Sequence, residues 1–79
     1  MDKTEILLRV KNVVSNVLKL EPSEITDDAN FVFDLGADSM QSVELVAGFE
    51  EEFDIELDQD KSLEVQNIDD AVNFISGYL

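Results

Sequence analysis

Apolar residues near the amino terminus recur at helical spacing: Ile6, Leu7, Val10, Val13, Val14, Val17, Leu18 and Leu20 fall within an arc of about 160° when projected at about 100° per residue. The pattern predicts an amphipathic helix from Thr4 to Leu20, with Leu8 alone on its far side, and other elements must cover the apolar arc. Pro22 ends that helix or follows its end. The chain has 79 residues and no cysteine, so no disulfide framework can supplement the core. A chain this short hides only roughly 60% of the surface its unfolded form exposes. Residues 1–79 are therefore expected to form a single domain, a small all-α bundle, since the pattern gives β-structure little support.

From Glu21 to Ala37 no period is sustained, which predicts a long loop pinned by Ile25, Phe31, Val32, Phe33 and Leu35. Loops of this length inside compact domains are often functional. A second helix is expected to start at Asp38 or Ser39 and to run to about Phe53. Asp38, followed three positions later by Gln41, resembles a capping box, and Gly36 can supply a backbone turn just before it. The segment from Ile55 to Gln66 is ambiguous; a short helix over Asp60 to Val65 fits it, with Leu57, Leu63 and Val65 supplying apolar contacts. A final helix is predicted from about Asp69 to Leu79, capped by Asn67, with Ala71, Phe74, Ile75 and Tyr78 facing the core.

The formal charge is −14, and its distribution matters more than its size. Every charged residue from Glu21 to Asp60 is acidic, while acids elsewhere balance Lys3, Arg9, Lys11, Lys19 and Lys61. Nucleic acid is excluded as a natural ligand, because phosphate binding needs cationic side chains. Basic protein surfaces are the expected partners, recruited by steering that salt weakens, although acids of this kind also simply keep a small protein in solution. The start Met1-Asp2-Lys3-Thr4-Glu5 lacks a basic residue run followed by an apolar stretch, and no apolar run approaches the roughly 20 residues that span a bilayer. The chain is expected to be neither exported nor inserted in a membrane, to act in the cytoplasm, and to be a monomer.

The chain has no histidine, and no cysteine either, so no imidazole can activate a serine, no thiolate can attack, and no zinc set of the usual His/Cys kind can be assembled. Ser39 nevertheless stands out. A hydroxyl at a helix start lies beside unpaired backbone N–H groups, where an attached anionic phosphodiester meets the favourable end of the helix dipole. Ser39 reads as an attachment point served by another protein, though Asp38 and Ser39 taken alone are also ordinary capping chemistry. On the second helix, Leu45, Val46, Phe49 and Phe53 share one face. Met40, Val43 and Ala47 form a second strip beside Ser39, bordered by Glu44 and Glu51 on one side and Glu50 on the other. That is the layout of a docking surface for a basic-rimmed groove, or of a helix buried over a wide arc.

The string Phe31-Val32-Phe33-Asp34-Leu35-Gly36-Ala37-Asp38-Ser39-Met40, continued by Val43-Glu44-Leu45-Val46 and Phe49-Glu50-Glu51-Glu52-Phe53-Asp54-Ile55, closely resembles the acyl carrier proteins of dissociated fatty-acid and polyketide synthesis. The resemblance covers nearly the whole chain. It implies a four-helix bundle with a long loop between helices 1 and 2 and a short third helix, in which Ser39 receives 4′-phosphopantetheine from coenzyme A through a phosphopantetheinyl transferase. The terminal thiol would carry acyl groups between acyl-transferring and chain-modifying enzymes with basic surfaces, docked on Asp38, Met40, Val43, Glu44, Ala47, Glu50 and Glu51. The positions matching the family's acyl pocket are Phe49, Phe53, Leu57, Ser62, Val65, Ala71 and Phe74, most of which plain core packing explains equally well.

The chain departs from the family pattern at several places. Met40 stands for the usual Leu, Gln41 for an acid, Ala47-Gly48-Phe49 for a commoner Met-Ala-Leu run, Asp58 for a proline and Ser62 for an alanine. These departures suggest a specialised carrier. Peptidyl or D-alanyl carriage is the nearest alternative, and an unmodified acidic adaptor is another. A calcium-binding module is a third, since Asp58, Asp60 and Ser62 resemble positions 1, 3 and 5 of an EF-hand loop; Leu63 and Asp69, however, stand where that loop needs Gly and Glu.

Overall fold

The computed structural model describes residues 1–79 as four α-helices: α1 (Lys3–Leu18), α2 (Ser39–Phe53), α3 (Gln59–Ser62) and α4 (Ile68–Ser76). A single 3₁₀ turn at Pro22–Glu24 interrupts the long first loop. Asp2 caps α1, its side chain accepting the Glu5 N–H at 2.9 Å. The helix stops two residues short of the expected Leu20, because Lys19 adopts a left-handed conformation with φ of 59°. The Leu20 N–H then turns back to the Ser15 carbonyl, and the Ser15 hydroxyl donates to the Leu20 carbonyl. Pro22 enforces the break, since the preceding Glu21 is held extended.

α1 is the spine of the bundle, packing against α2 on one side and α4 on the other. Ile6, Val10 and Val14 on α1 and Ile68 and Ile75 on α4 are the most deeply buried side chains, whereas Leu8 is exposed, as its place on the wheel requires. Contact between α1 and α2 is close at Gly48. A Cβ there would lie 2.8 Å from Val13 Cγ1. Arg9 closes the far end of α2: its guanidinium lies 4.7 Å from the Phe53 ring centroid and donates to the Glu52 carboxylate and carbonyl.

The long loop is fastened to the start of α4 by an isolated antiparallel bridge, in which the Phe31 N–H donates to Gln66 and the Ile68 N–H to Ala29. Ile25, Ala29, Phe31 and Ala37 are buried there and Leu35 is half-buried. Val32 and Phe33, expected as apolar pins, point outward instead, with Phe33 89% exposed. Their backbone explains it. Asn30 Oδ1 accepts both of their N–H groups, winding residues 31–35 into a turn whose outer side carries them.

α3 is shorter than the Asp60–Val65 reading and begins earlier, capped by Asp58. Leu57 is buried and Val65 half-buried, but Leu63 is 76% exposed. Asn67 caps α4 as its sequence position implies, accepting the Asp70 N–H at 2.8 Å. Ala71 and Ile75 lie in the core with Ile68 and Val72. Tyr78 is past the helix end and more exposed than predicted; its ring meets Phe74 edge-on at 5.3 Å and its hydroxyl accepts the Asp58 N–H. No helix is long and apolar enough to cross a membrane.

Candidate functional site around Ser39

Two successive turns set the position of Ser39. In the first, Asp34 Oδ2 accepts the Asn30 N–H at 2.7 Å, and Gly36, with φ of 75°, lets the Gly36 and Ala37 N–H groups return to the Val32 and Phe31 carbonyls. A side chain at residue 36 would strain this left-handed backbone. In the second, Asp38 and Gln41 form the reciprocal capping box: the Gln41 N–H donates to Asp38 Oδ1 at 2.8 Å and the Asp38 N–H donates to Gln41 Oε1 at 3.1 Å. Gln41, a departure from the family's acid, is thus the amide half of the cap.

Ser39 is the first residue of α2 and is exposed. The cap engages the Gln41 N–H and leaves the Ser39 and Met40 N–H groups without a protein acceptor. A phosphodiester on Ser39 Oγ would fit this position, beside these unpaired donors and the positive end of the helix dipole.

Beside Ser39 opens a cavity of about 590 Å³ between α2, α3 and α4, and Ser39 itself is part of its lining. It exists because α2 and α4 each lean on α1 rather than on each other. Of the residues expected to line an acyl pocket, Phe49, Leu57, Ser62, Val65, Ala71 and Phe74 do so. Phe53 does not. It is buried under Arg9 at the opposite end of α2, on the same face as Phe49 but a helical turn further from Ser39. The sequence reading missed Phe31, Leu45, Val46 and Ile75 as wall residues, and Val43, assigned to the outer strip, also borders the mouth. The Ser62 hydroxyl offers no free donor to the cavity, because it donates to the Asp58 carbonyl at 2.7 Å.

The outer strip of α2 is open: Met40 is 75% exposed and Val43 66%, and Ala47, Glu44 and Glu51 are exposed beside them. The reading of α2 as a helix buried over a wide arc is therefore wrong. Asp38 is exposed but spends one carboxylate oxygen on its cap. Glu50 is half-buried and accepts the Leu57 N–H at 2.8 Å, so it ties the loop after α2 to the helix. Asp58 and Ser62 belong to a capped helical turn rather than to a cation-binding loop.

An exposed hydroxyl at a helix start, on the lip of an apolar cavity, is the arrangement that a carrier of an attached group requires. The family described as "Phosphopantetheine attachment site" matches residues 8–75. An acyl carrier protein of Caulobacter vibrioides (strain NA1000 / CB15N) is 48% identical over 73 residues, covering 92% of this chain and 94% of the relative. One from Guillardia theta is 45% identical over 76 residues, covering 96% and 94%. "Acyl carrier protein 2, mitochondrial" of Arabidopsis thaliana is 46% identical over 78 residues, covering 99% of this chain and 62% of its own length. The chain belongs to the acyl carrier protein family: its cofactor is 4′-phosphopantetheine, and it carries acyl groups on that arm.

Proposed function

We propose that residues 1–79 work as one carrier domain whose attachment residue is Ser39, serving fatty-acid or a closely related synthesis. The single observation that carries this is the exposed Ser39 at the start of α2, on the lip of an apolar cavity. A phosphopantetheinyl transferase supplies the chemistry. Ser39 Oγ attacks the pantetheine-side phosphorus of coenzyme A, the diphosphate P–O bond breaks, adenosine 3′,5′-bisphosphate leaves, and the serine proton passes to a base of the transferase. The chain itself is no catalyst, since it offers neither imidazole nor thiol to activate its own serine.

Partner enzymes dock on Met40, Val43 and Ala47, with Glu44 and Glu51 as the freely presented charges and Asp38 and Glu50 contributing field more than contact. Their complementary surfaces are basic. The acyl chain lies among Phe49, Leu57, Ser62, Val65, Ala71 and Phe74. The cysteine-free sequence fits a reducing cytoplasmic compartment, and the protein acts as a monomer. The relatives' names favour acyl over peptidyl or D-alanyl cargo.

The test is incubation with coenzyme A, Mg²⁺ and a promiscuous transferase, followed by intact-mass measurement and peptide mapping. One phosphopantetheinyl group is expected on the peptide containing Ser39, and none on Ser39→Ala. Modification of another residue, or of none, overturns the assignment.

A further inference from the structure

Phe33 and Leu63 are the two most exposed large apolar side chains in the molecule, at 89% and 76%, and they come from different elements: the turn before α2 and the end of α3. Both line the cavity that opens beside Ser39, together with the exposed Val32 and Val43. Single exposed apolar residues are common on protein surfaces. Exposed apolar residues gathered around one opening are a different matter, because together they extend an apolar site outward.

We propose that Phe33 and Leu63 form an apolar collar that covers the segment of an acyl chain crossing the cavity mouth, so that they help decide how well a stored thioester is shielded. The proposal rests on Ser39 as the attachment residue. The occupant follows from position: a chain tethered at Ser39 must cross this mouth to reach the interior, and its methylenes match the collar chemically. A short acyl group has no methylenes left to hold it inside once its thioester stands at the mouth. The collar therefore discriminates between cargoes by length and polarity, acting only on chains that reach the interior.

A promiscuous transferase loads the full chain with octanoyl- or acetyl-phosphopantetheine from the corresponding acyl-coenzyme A, and cleavage by hydroxylamine is timed by intact mass. The wild-type protein is expected to protect the octanoyl thioester relative to the acetyl one. Phe33→Ser combined with Leu63→Ser is expected to speed octanoyl cleavage about tenfold, the scale of two methylenes returned to water, and to leave acetyl cleavage unchanged. Phe33→Leu combined with Leu63→Met keeps the collar apolar and is expected to retain protection. Both side chains are exposed, so the melting temperature of the unloaded variants stays at the wild-type value. Unchanged octanoyl protection in the serine double variant overturns the collar while leaving Ser39 as attachment residue intact. So does a variant that protects normally and loses only acyl transfer to a partner enzyme, which would make the patch a docking surface. Failure to load at Ser39 overturns the attachment reading and the collar with it.

Discussion

Replacing Gly48 with alanine tests the tightest helix contact in the bundle. The added Cβ would stand 2.8 Å from Val13 Cγ1 and 3.8 Å from Val17 Cγ2. Val13 cannot easily yield, because a β-branched residue within a helix has essentially one favoured χ1 and this one is buried. Overpacking of this kind costs about 1–3 kcal/mol. Against it stands the better helix propensity of alanine, about 0.8–1.0 kcal/mol in favour of the variant. The net expectation is a loss of about 1 kcal/mol, and in a domain of this size each kcal/mol lowers the melting temperature by about 4–8 °C. Urea and thermal unfolding of Gly48→Ala, Val13→Ala and the double variant measure it. Val13→Ala alone destabilises by opening a void, yet in the Gly48→Ala background it removes the clash, so the pair should couple by about 1 kcal/mol or more. A Gly48→Ala protein more stable than wild type, or additive behaviour in the double variant, would refute the close approach of α1 and α2. Loading at Ser39 should survive all three substitutions, since the site is far along α2.

Three further outcomes follow from the hydrogen bonds and the cavity. Asp38→Ala removes the α2 cap and is expected to cost about 0.5–2 kcal/mol in urea unfolding, while transferase modification at Ser39 continues. Glu50→Ala strips the Leu57 N–H of its acceptor; amide hydrogen exchange at Leu57 should accelerate with a stability loss of about 1 kcal/mol or less, given that Glu50 is only half-buried. Ala71→Leu sends new side-chain volume toward the cavity, so the melting-temperature gain produced by an octanoyl cargo should shrink even though Ser39 still loads.

Much of this was legible in the sequence because caps and faces are local. The Asp38/Gln41 box, the Asn67 cap and the turn at Gly36 each depend on residues within a few positions, and all three appear where their spacing put them. Long-range facts were not legible. A helical wheel gives the azimuth of a side chain and discards its height, so Phe49 and Phe53 looked equivalent although they lie about 6 Å apart along α2, and only Phe49 reaches the cavity. Apolar identity predicted burial for Val32, Phe33 and Leu63, but the Asn30 turn and the short α3 face them outward. Glu50 bordered an apolar strip on the wheel, and nothing local revealed that the returning chain would bring the Leu57 N–H to it.

The cavity wall is held differently from the rest of the bundle. α1 and α4 meet through fully buried Ile and Val side chains, a contact that any opening would have to break over a wide area. The segment between α2 and α4 is a loop and a four-residue helix, anchored by buried Leu57, by half-buried Ile55 and Val65, and by single hydrogen bonds in which Glu50 accepts from Leu57, Tyr78 from Asp58 and the Gln66 carbonyl from Phe31. A typical single hydrogen bond contributes about 0.5–1.5 kcal/mol, so with one buried apolar side chain behind it this wall should open at less cost than the α1–α4 contact. Such a division suits a carrier, which must admit and release a chain repeatedly. Loosening one of these clamps should therefore change how a cargo is held more than it changes how the domain unfolds, whereas a cut into the α1 core at Val10 or Val14 should do the reverse.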